Sequence, residues 1–357
     1  MGSLLVNDTA VKECLEILNS GLKSKTPIEV SATLERLNSG LSKSLESRMH
    51  AFQTGACGLI LDVLDDFVDV KSVVRSCLKA LVTLSSQSNE LNEKGIARQM
   101  NLLQEGTSAG NSRLVMRWMK RCCLKSEKNR QAIFEAGVTD RVKEILQKDT
   151  VTAGELSDLC SLLRALILDD DLTIDYGNSV QRTRDVAQET VIFVVPLLAK
   201  FIHKKKTVCE VLKTLTALLV RNDFCVKVEE IGGVSLVLQT TVVHPDDENL
   251  TCLVLRLIKR LAGNDYVKVR LVVEGAASLV VSAMRRMQVR GRKKVNRGSL
   301  VRSAKSIHWD DSRYHQSTSD DGFINSRNIA LDANFTNDAE TLKQMQHRKL
   351  HPPTHSG

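Results

Sequence analysis

The chain has 357 residues, 42% hydrophobic, 26% charged and only 4% aromatic, with five prolines. That is enough apolar material for two average domains or one elongated array, and it excludes a collagen-like chain, a disulfide mini-protein and a wholly disordered chain. The net charge of +8 is unevenly placed: residues 1–284 hold 36 Lys/Arg against 35 Asp/Glu, residues 285–357 hold 14 against 7. Basicity therefore belongs to the tail, and the near-neutral body is not expected to bind nucleic acid.

All nine cysteines lie between Cys14 and Cys252, odd in number and without a Cys-x-x-Cys. Reduced thiols used as small core residues fit this spacing better than a disulfide framework or a zinc site. The longest apolar run, Val191 to Ala199, is nine residues and carries Pro196, far short of a membrane span. Met1-Gly2 is followed by Val6 where a myristoylation signal needs Ser or Thr. With no secretory signal pattern, a cytosolic protein is expected.

Taken in chain order, six stretches share a short helix-like run that ends in Gly and leads into a new apolar segment. The landmark glycines are Gly55, Gly95, Gly137, Gly177, Gly232 and Gly275, at intervals of 40, 42, 40, 55 and 43 residues. In each unit the first run reads as a short helix, with Gly supplying a left-handed or close-packed corner. A second helix follows, as over Val138–Leu146, and then a longer third. In Val208–Val220 the residues Val208, Val211, Leu212, Leu215, Leu218 and Leu219 form one apolar stripe. Three helices per ~40 residues is the armadillo plan, in which stacked neighbours bury stripes that one unit cannot. The 55-residue interval holds a polar insertion, Asn178–Gln188, read as a longer loop or an extra turn, or as a partner-binding excursion.

The segments CLKSEKNRQAIFEAGV (123–138), LRALILDDDLTIDYG (163–177), RNDFCVKVEEIGGVSLVL (221–238) and LAGNDYVKVRLVVEGAASLVVSAM (261–284) closely resemble the armadillo repeat-containing protein 6 family. The likeness runs from about residue 30 to 288. It implies an intracellular, right-handed armadillo superhelix without assigned catalytic activity. The expected fold is thus an all-α, armadillo-type α-solenoid. Residues 1–30 form an N-terminal flanking helix and linker, 31–288 the repeats, and 289–357 a basic, mostly disordered tail. Family members look as though they continue with further repeats, so the last unit's apolar face must be capped or remain exposed.

No phosphate-binding Gly-rich loop, His-Glu-x-x-His or Gly-x-Ser-x-Gly occurs, and no enzyme, cofactor or metal is expected. Asp169-Asp170-Asp171 reads as a solvated corner with one Asp capping the next helix. His50, His203 and His244 lack ligand-like partners. What remains is the groove. Peptide-binding armadillo proteins present a Trp on the third helix with an Asn one turn later. Laying that pattern on this chain puts Lys79 and Thr83 at the two places on one helix, Arg164 and Leu168 on the next, then Lys213 and Ala217, then Arg256 and Arg260. The helix before Cys122 resists alignment, although Arg117, Lys120 and Arg121 lie near it. A Trp/Asn ladder is missing, and a row of cations stands in its place. The row is read either as ordinary exposed helix residues or as a site for an acidic extended segment.

The tail opens with Arg290, Arg292, Lys293, Lys294 and Arg297, read as basic linker, nuclear signal or nucleic-acid contact; it lacks the aromatic residues that stack on bases. The expected function is a non-enzymatic scaffold binding a protein partner along the concave surface, with nuclear entry as an option. The alternative is a nucleic-acid-associated protein using residues 290–305.

Overall fold

Seventeen helices and no strand occur among the described residues of the computed structural model, which are 2–20, 25–85, 93–104, 108–168 and 177–289. The chain enters through α1 (Gly2–Asn19), whose Val11, Cys14 and Leu18 are buried. Then α2 (Pro27–Lys43) begins at a capping box: Thr26 accepts from the Glu29 amide while the Glu29 carboxylate accepts from Thr26 N–H, and Pro27 takes the first helical position. The repeats follow with a constant order. After α3 (Leu45–Gln53) and α4 (Ala56–Asp66) comes the long α5 (Lys71–Leu84); α6 (Glu93–Leu102) leads to the long α7 (Ala109–Cys123); α8 (Glu127–Glu135) and α9 (Val138–Leu146) lead to the long α10 (Ala153–Leu166). Next are α11 (Gly177–Lys200) and the long α12 (Lys205–Leu218). The last units are α13 (Asn222–Glu230), α14 (Gly233–Val243) and the long α15 (Glu248–Leu261), then α16 (Asp265–Val273) and α17 (Ala276–Val289).

The glycine corners have a measured cause. Gly55, Gly137, Gly232 and Gly275 stand between the first and second helices with φ of 81°, 85°, 72° and 89°, a conformation that a Cβ penalises by roughly 1–2 kcal/mol. The other two landmarks behave differently: Gly95 lies inside α6 and Gly177 opens α11. Residues 86–92, most of the run before Gly95, and 169–176, which hold the run before Gly177 and the Asp169–Asp171 triplet, lie outside the described residues.

The third helices form the spine. α2, α5, α7, α10, α12 and α15 pack in that order, each on the next, and the stripe from Val208 to Leu219 is buried throughout. Such stacking is what makes the array an armadillo-type α-solenoid.

The insertion is not a loop. Asn178–Gln188 is the first half of α11, a 24-residue helix continuous with the apolar run after it. It packs down as helix because its buried cation, Arg182, is paired with an acid. Arg182 is buried and donates from both terminal nitrogens to the two carboxylate oxygens of Glu127, at 2.7 and 3.0 Å, and from Nε to the Leu166 carbonyl at 2.8 Å. Arg130, equally buried, donates to Glu127 at 2.5 Å and to the Cys123 carbonyl at 2.9 Å. The two arginines thus satisfy last-turn carbonyls of α10 and α7, which have no intrahelical donor, while Glu127 balances the charge of one of them. At the other end, Val269, Val273 and Val281 of α16 and α17 are exposed, as expected of a last unit without a third helix described behind it.

Candidate functional site

Burial fixes the register that spacing left open. On α12, Val208, Val211, Leu212, Leu215 and Leu218 point inward; the matching inward residues of α10 are Leu156, Leu159, Cys160, Leu163 and Leu166. On α7 they are Ser112, Val115, Met116, Met119 and Cys122, and on α15 Thr251, Val254, Leu255, Ile258 and Leu261. The outward position directly after the adjacent inward pair, Val211–Leu212 on α12, is therefore Glu35 on α2, Lys79 on α5, Arg117 on α7, Ser161 on α10, Lys213 on α12 and Arg256 on α15. One turn on, the row reads Ser39, Thr83, Arg121, Ala165, Ala217 and Arg260.

Lys79, Lys213 and Arg256 thus share one position, and Thr83 and Arg260 share the other. Arg164 does not: it stands three residues beyond Ser161, so the α10 alignment drawn from sequence is displaced by three. α10 is apolar enough to fit two registers, and only the buried set separates them. Conversely, α7 belongs to the row through Arg117 and Arg121. Its Trp118, buried between Met116 and Met119, hid the pattern.

Most of these cations already hold partners, and the partners lie on neighbouring third helices. Lys79 is 3.8 Å from Glu35 of α2, and Thr83 donates to Asn38 at 2.8 Å and to the Lys79 carbonyl at 3.0 Å. Arg113 and Arg117 of α7 both donate to Asp158 of α10, at 2.7 and 2.9 Å, and Arg121 donates to the Val82 carbonyl of α5 at 2.5 Å. Arg164 reaches α12, donating to Thr214 at 2.7 Å, to the Glu210 carbonyl at 2.9 Å and to the Glu210 carboxylate. Lys213 takes the other Glu210 oxygen at 2.9 Å. Burial alone would raise the Glu210 pKa, but the hydrogen bonds from Lys213 and Arg164 outweigh it and hold the carboxyl below its ordinary value. Burial pulls the Arg121 guanidinium below its usual value, helped by repulsion from Arg48 and Arg117. Arg256 and Arg260 are exposed and have no acidic partner among the described residues.

Two negatives hold for the described residues. No group of three His, Cys, Asp or Glu is placed to hold a metal, and no helix is long and apolar enough to cross a membrane. The His244 ring meets the Ile202 carbonyl at 2.7 Å, tying α14 to the end of α11. No disulfide joins the cysteines of the described residues, and burial pushes Cys77, Cys122 and Cys160 up to about 12, so these three are inert core residues. Arg290, Arg292, Lys293, Lys294 and Arg297 lie outside the described residues.

No protein-family model matches the chain. It is 27% identical over 285 residues to the Armadillo repeat-containing protein 6 homolog of Drosophila melanogaster, covering 78% of this chain and 60% of that protein. Against Armadillo repeat-containing protein 6 of Homo sapiens it is 26% identical over 287 residues, 77% of this chain and 57% of the relative. The chain therefore spans less than two thirds of the curated relatives it matches. Among solved structures it is similar to an engineered protein at a TM-score of 0.64, with 14% identity, 82% of this chain and 67% of that one covered. It is also similar to a designed armadillo repeat protein in complex with the peptide (KR)4, at a TM-score of 0.56, 16% identity, 70% of this chain and 98% of that one. The fold and the resemblance to armadillo repeat-containing protein 6 read from sequence are both borne out.

Proposed function

We propose that this chain is a non-enzymatic protein-interaction scaffold whose third-helix surface receives an acidic, extended segment of a partner protein. The armadillo fold is a protein-binding architecture, and a designed relative in fold was solved with a bound peptide. The observation that carries the finer reading is the run of cations at equivalent positions, Lys79, Arg117, Lys213 and Arg256, with Arg121 and Arg260 one turn on. One repeat separates successive members except across α10, where Ser161 takes the place, a spacing that suits carboxylates along an extended backbone. Cysteines that form no disulfide with one another support a reducing compartment, and we place the protein in the cytosol.

The test is affinity capture of a partner with the full chain, then titration against a variant combining Arg117→Ala, Lys213→Ala, Arg256→Ala and Arg260→Ala. Four surface contacts together predict a loss of roughly 5- to 1000-fold at low salt, shrinking at high salt as the parent's advantage is screened. Unchanged affinity in a folded variant would return these cations to ordinary solvated helix residues. Capture that depends on RNA or DNA, and is lost on removing residues 290–357, would favour the tail-borne alternative.

A further inference from the structure

The cationic row has a gap. Where α10 crosses the groove both positions are small, Ser161 and Ala165, and the next helix adds a third small residue, Ala217. With no long side chain to fill it, the surface there opens into a hollow of about 590 Å³, a size within the range of small-ligand pockets.

The walls of this hollow are apolar and exposed. Leu124 beyond α7 is 47% exposed, Val180 of α11 61% and Val220 beyond α12 37%. Three large hydrophobic side chains from three separate elements thus face one opening, an arrangement that marks interaction sites when polar residues rim it. The rim is cationic. Lys120 has no acidic partner among the described residues, and Arg164 is held in place by Glu210 and Thr214. The rear is rigid, because Arg182, two residues from Val180, is locked to Glu127 and to the last turn of α10.

From this we infer that the hollow receives one bulky apolar side chain, aromatic or branched, of the acidic segment, and so fixes the register of that segment on the row. The inference rests on the scaffold reading. The floor is made by Ala165, Ile167, Leu168 and Ala217, side chains that offer a carboxylate no hydrogen bond, so a buried charge there would go unpaired. An uncharged side chain suits the floor, and carboxylates on either side of it suit Lys120, Arg117 and Lys213. Acidity alone would let a ligand slide along a periodic row. A single apolar anchor removes that freedom, as buried anchors do at other interfaces.

The experiment uses the full chain and two synthetic peptides of seven residues, alternating Asp and Glu around a central Trp or a central Ala, titrated by anisotropy at low salt. The Trp peptide is expected to bind at least tenfold tighter. Leu124→Ser combined with Val180→Ser, both on exposed positions, should bring the two peptides to within about twofold of each other, and Ala217→Phe should do the same by filling the space. Thermal melts check that each variant is folded. Equal affinity of the two peptides for the parent overturns the anchor and leaves the scaffold reading standing. A Trp advantage that survives both variants places the anchor elsewhere and overturns the inference as well. Failure of both peptides to bind overturns the acidic-segment reading together with it.

Discussion

At the junction of α8 and α11, Glu127 sits between Arg130 and Arg182 with all three side chains buried, whereas on the third-helix surface Asp158 and Glu210 meet their cations in reach of solvent. The chemistry is the same and the consequence differs. Inside, water cannot replace a missing partner, so each member is obligatory for folding. Outside, water and salt compensate, and the pairs add little to stability while still orienting side chains. A third condition is found on α15, where Arg256 and Arg260 stand at positions equivalent to Lys79 and Thr83 but face no carboxylate. A cation's job here is set by whether the neighbouring helix offers an acid.

Removing the buried acid should have the largest effect. Glu127→Gln removes the buried carboxylate that Arg130 and Arg182 share and should cost about 3–5 kcal/mol, read as a lower urea midpoint by the fluorescence of the buried Trp118. A midpoint within error of the parent would mean that water reaches this junction.

The same carboxylates set the response to acid. Burial works to raise Glu127, but its hydrogen bonds with Arg182 and Arg130 outweigh it, leaving the pKa below its ordinary value; Glu210 is likewise lowered. A depressed carboxylate contributes fully above the unfolded value of ~4.3 and loses that contribution as pH falls through the folded value. Melting temperature should therefore hold from pH 7 to 5 and drop below about pH 4.3, with a shallower drop in Glu127→Gln. An acid limb as steep in the variant as in the parent would assign the loss to other groups.

On the surface, Asp158→Asn should cost only about 0.2–1 kcal/mol despite releasing both Arg113 and Arg117, and the cost should vanish in high salt. Smallest of all, Arg256→Ala with Arg260→Ala should leave the melting temperature unchanged, since neither side chain has a partner to lose. A destabilised double variant would show that these two residues are structural, which would weaken their place in the binding row.

Much of the fold was legible in the sequence because it repeats. Gly55, Gly137, Gly232 and Gly275 signalled their corners, and Val138–Leu146 was bounded to the residue. What escaped was information that no local window holds. Arg182 reads as a surface residue in a polar stretch until its acid, Glu127, 55 positions earlier, is brought against it. The register of α10 escaped for the opposite reason, an excess of signal: Leu159, Cys160, Leu162, Leu163 and Leu166 satisfy two helical phases, and packing chooses one. Arg117 and Arg121 were noted near the helix before Cys122 but not placed in the row, because that helix is too irregular to fit the armadillo pattern; its Trp118 takes an inward position. The charge of the row could be read from sequence, but most of its neutralisation could not: Glu35 and Asp158 act across helices, and Glu210 reaches Arg164 across helices as well as Lys213 along its own.

A stack of small helices behaves mechanically as a coil spring, sharing any bend among its turns. α11 breaks that uniformity: at 1.5 Å per residue its 24 residues make a bar about 36 Å long, and it packs on α9, α12, α13 and α14 at once. Such a bar acts as a splint across the middle of the array, so bending concentrates on either side of it. Within the bar, Pro196 removes the hydrogen bond to the Ile192 carbonyl, leaving a single joint. Even with that bond missing, packing on four helices holds the bar, so strain applied at the ends is taken up by the shorter helices before and after it.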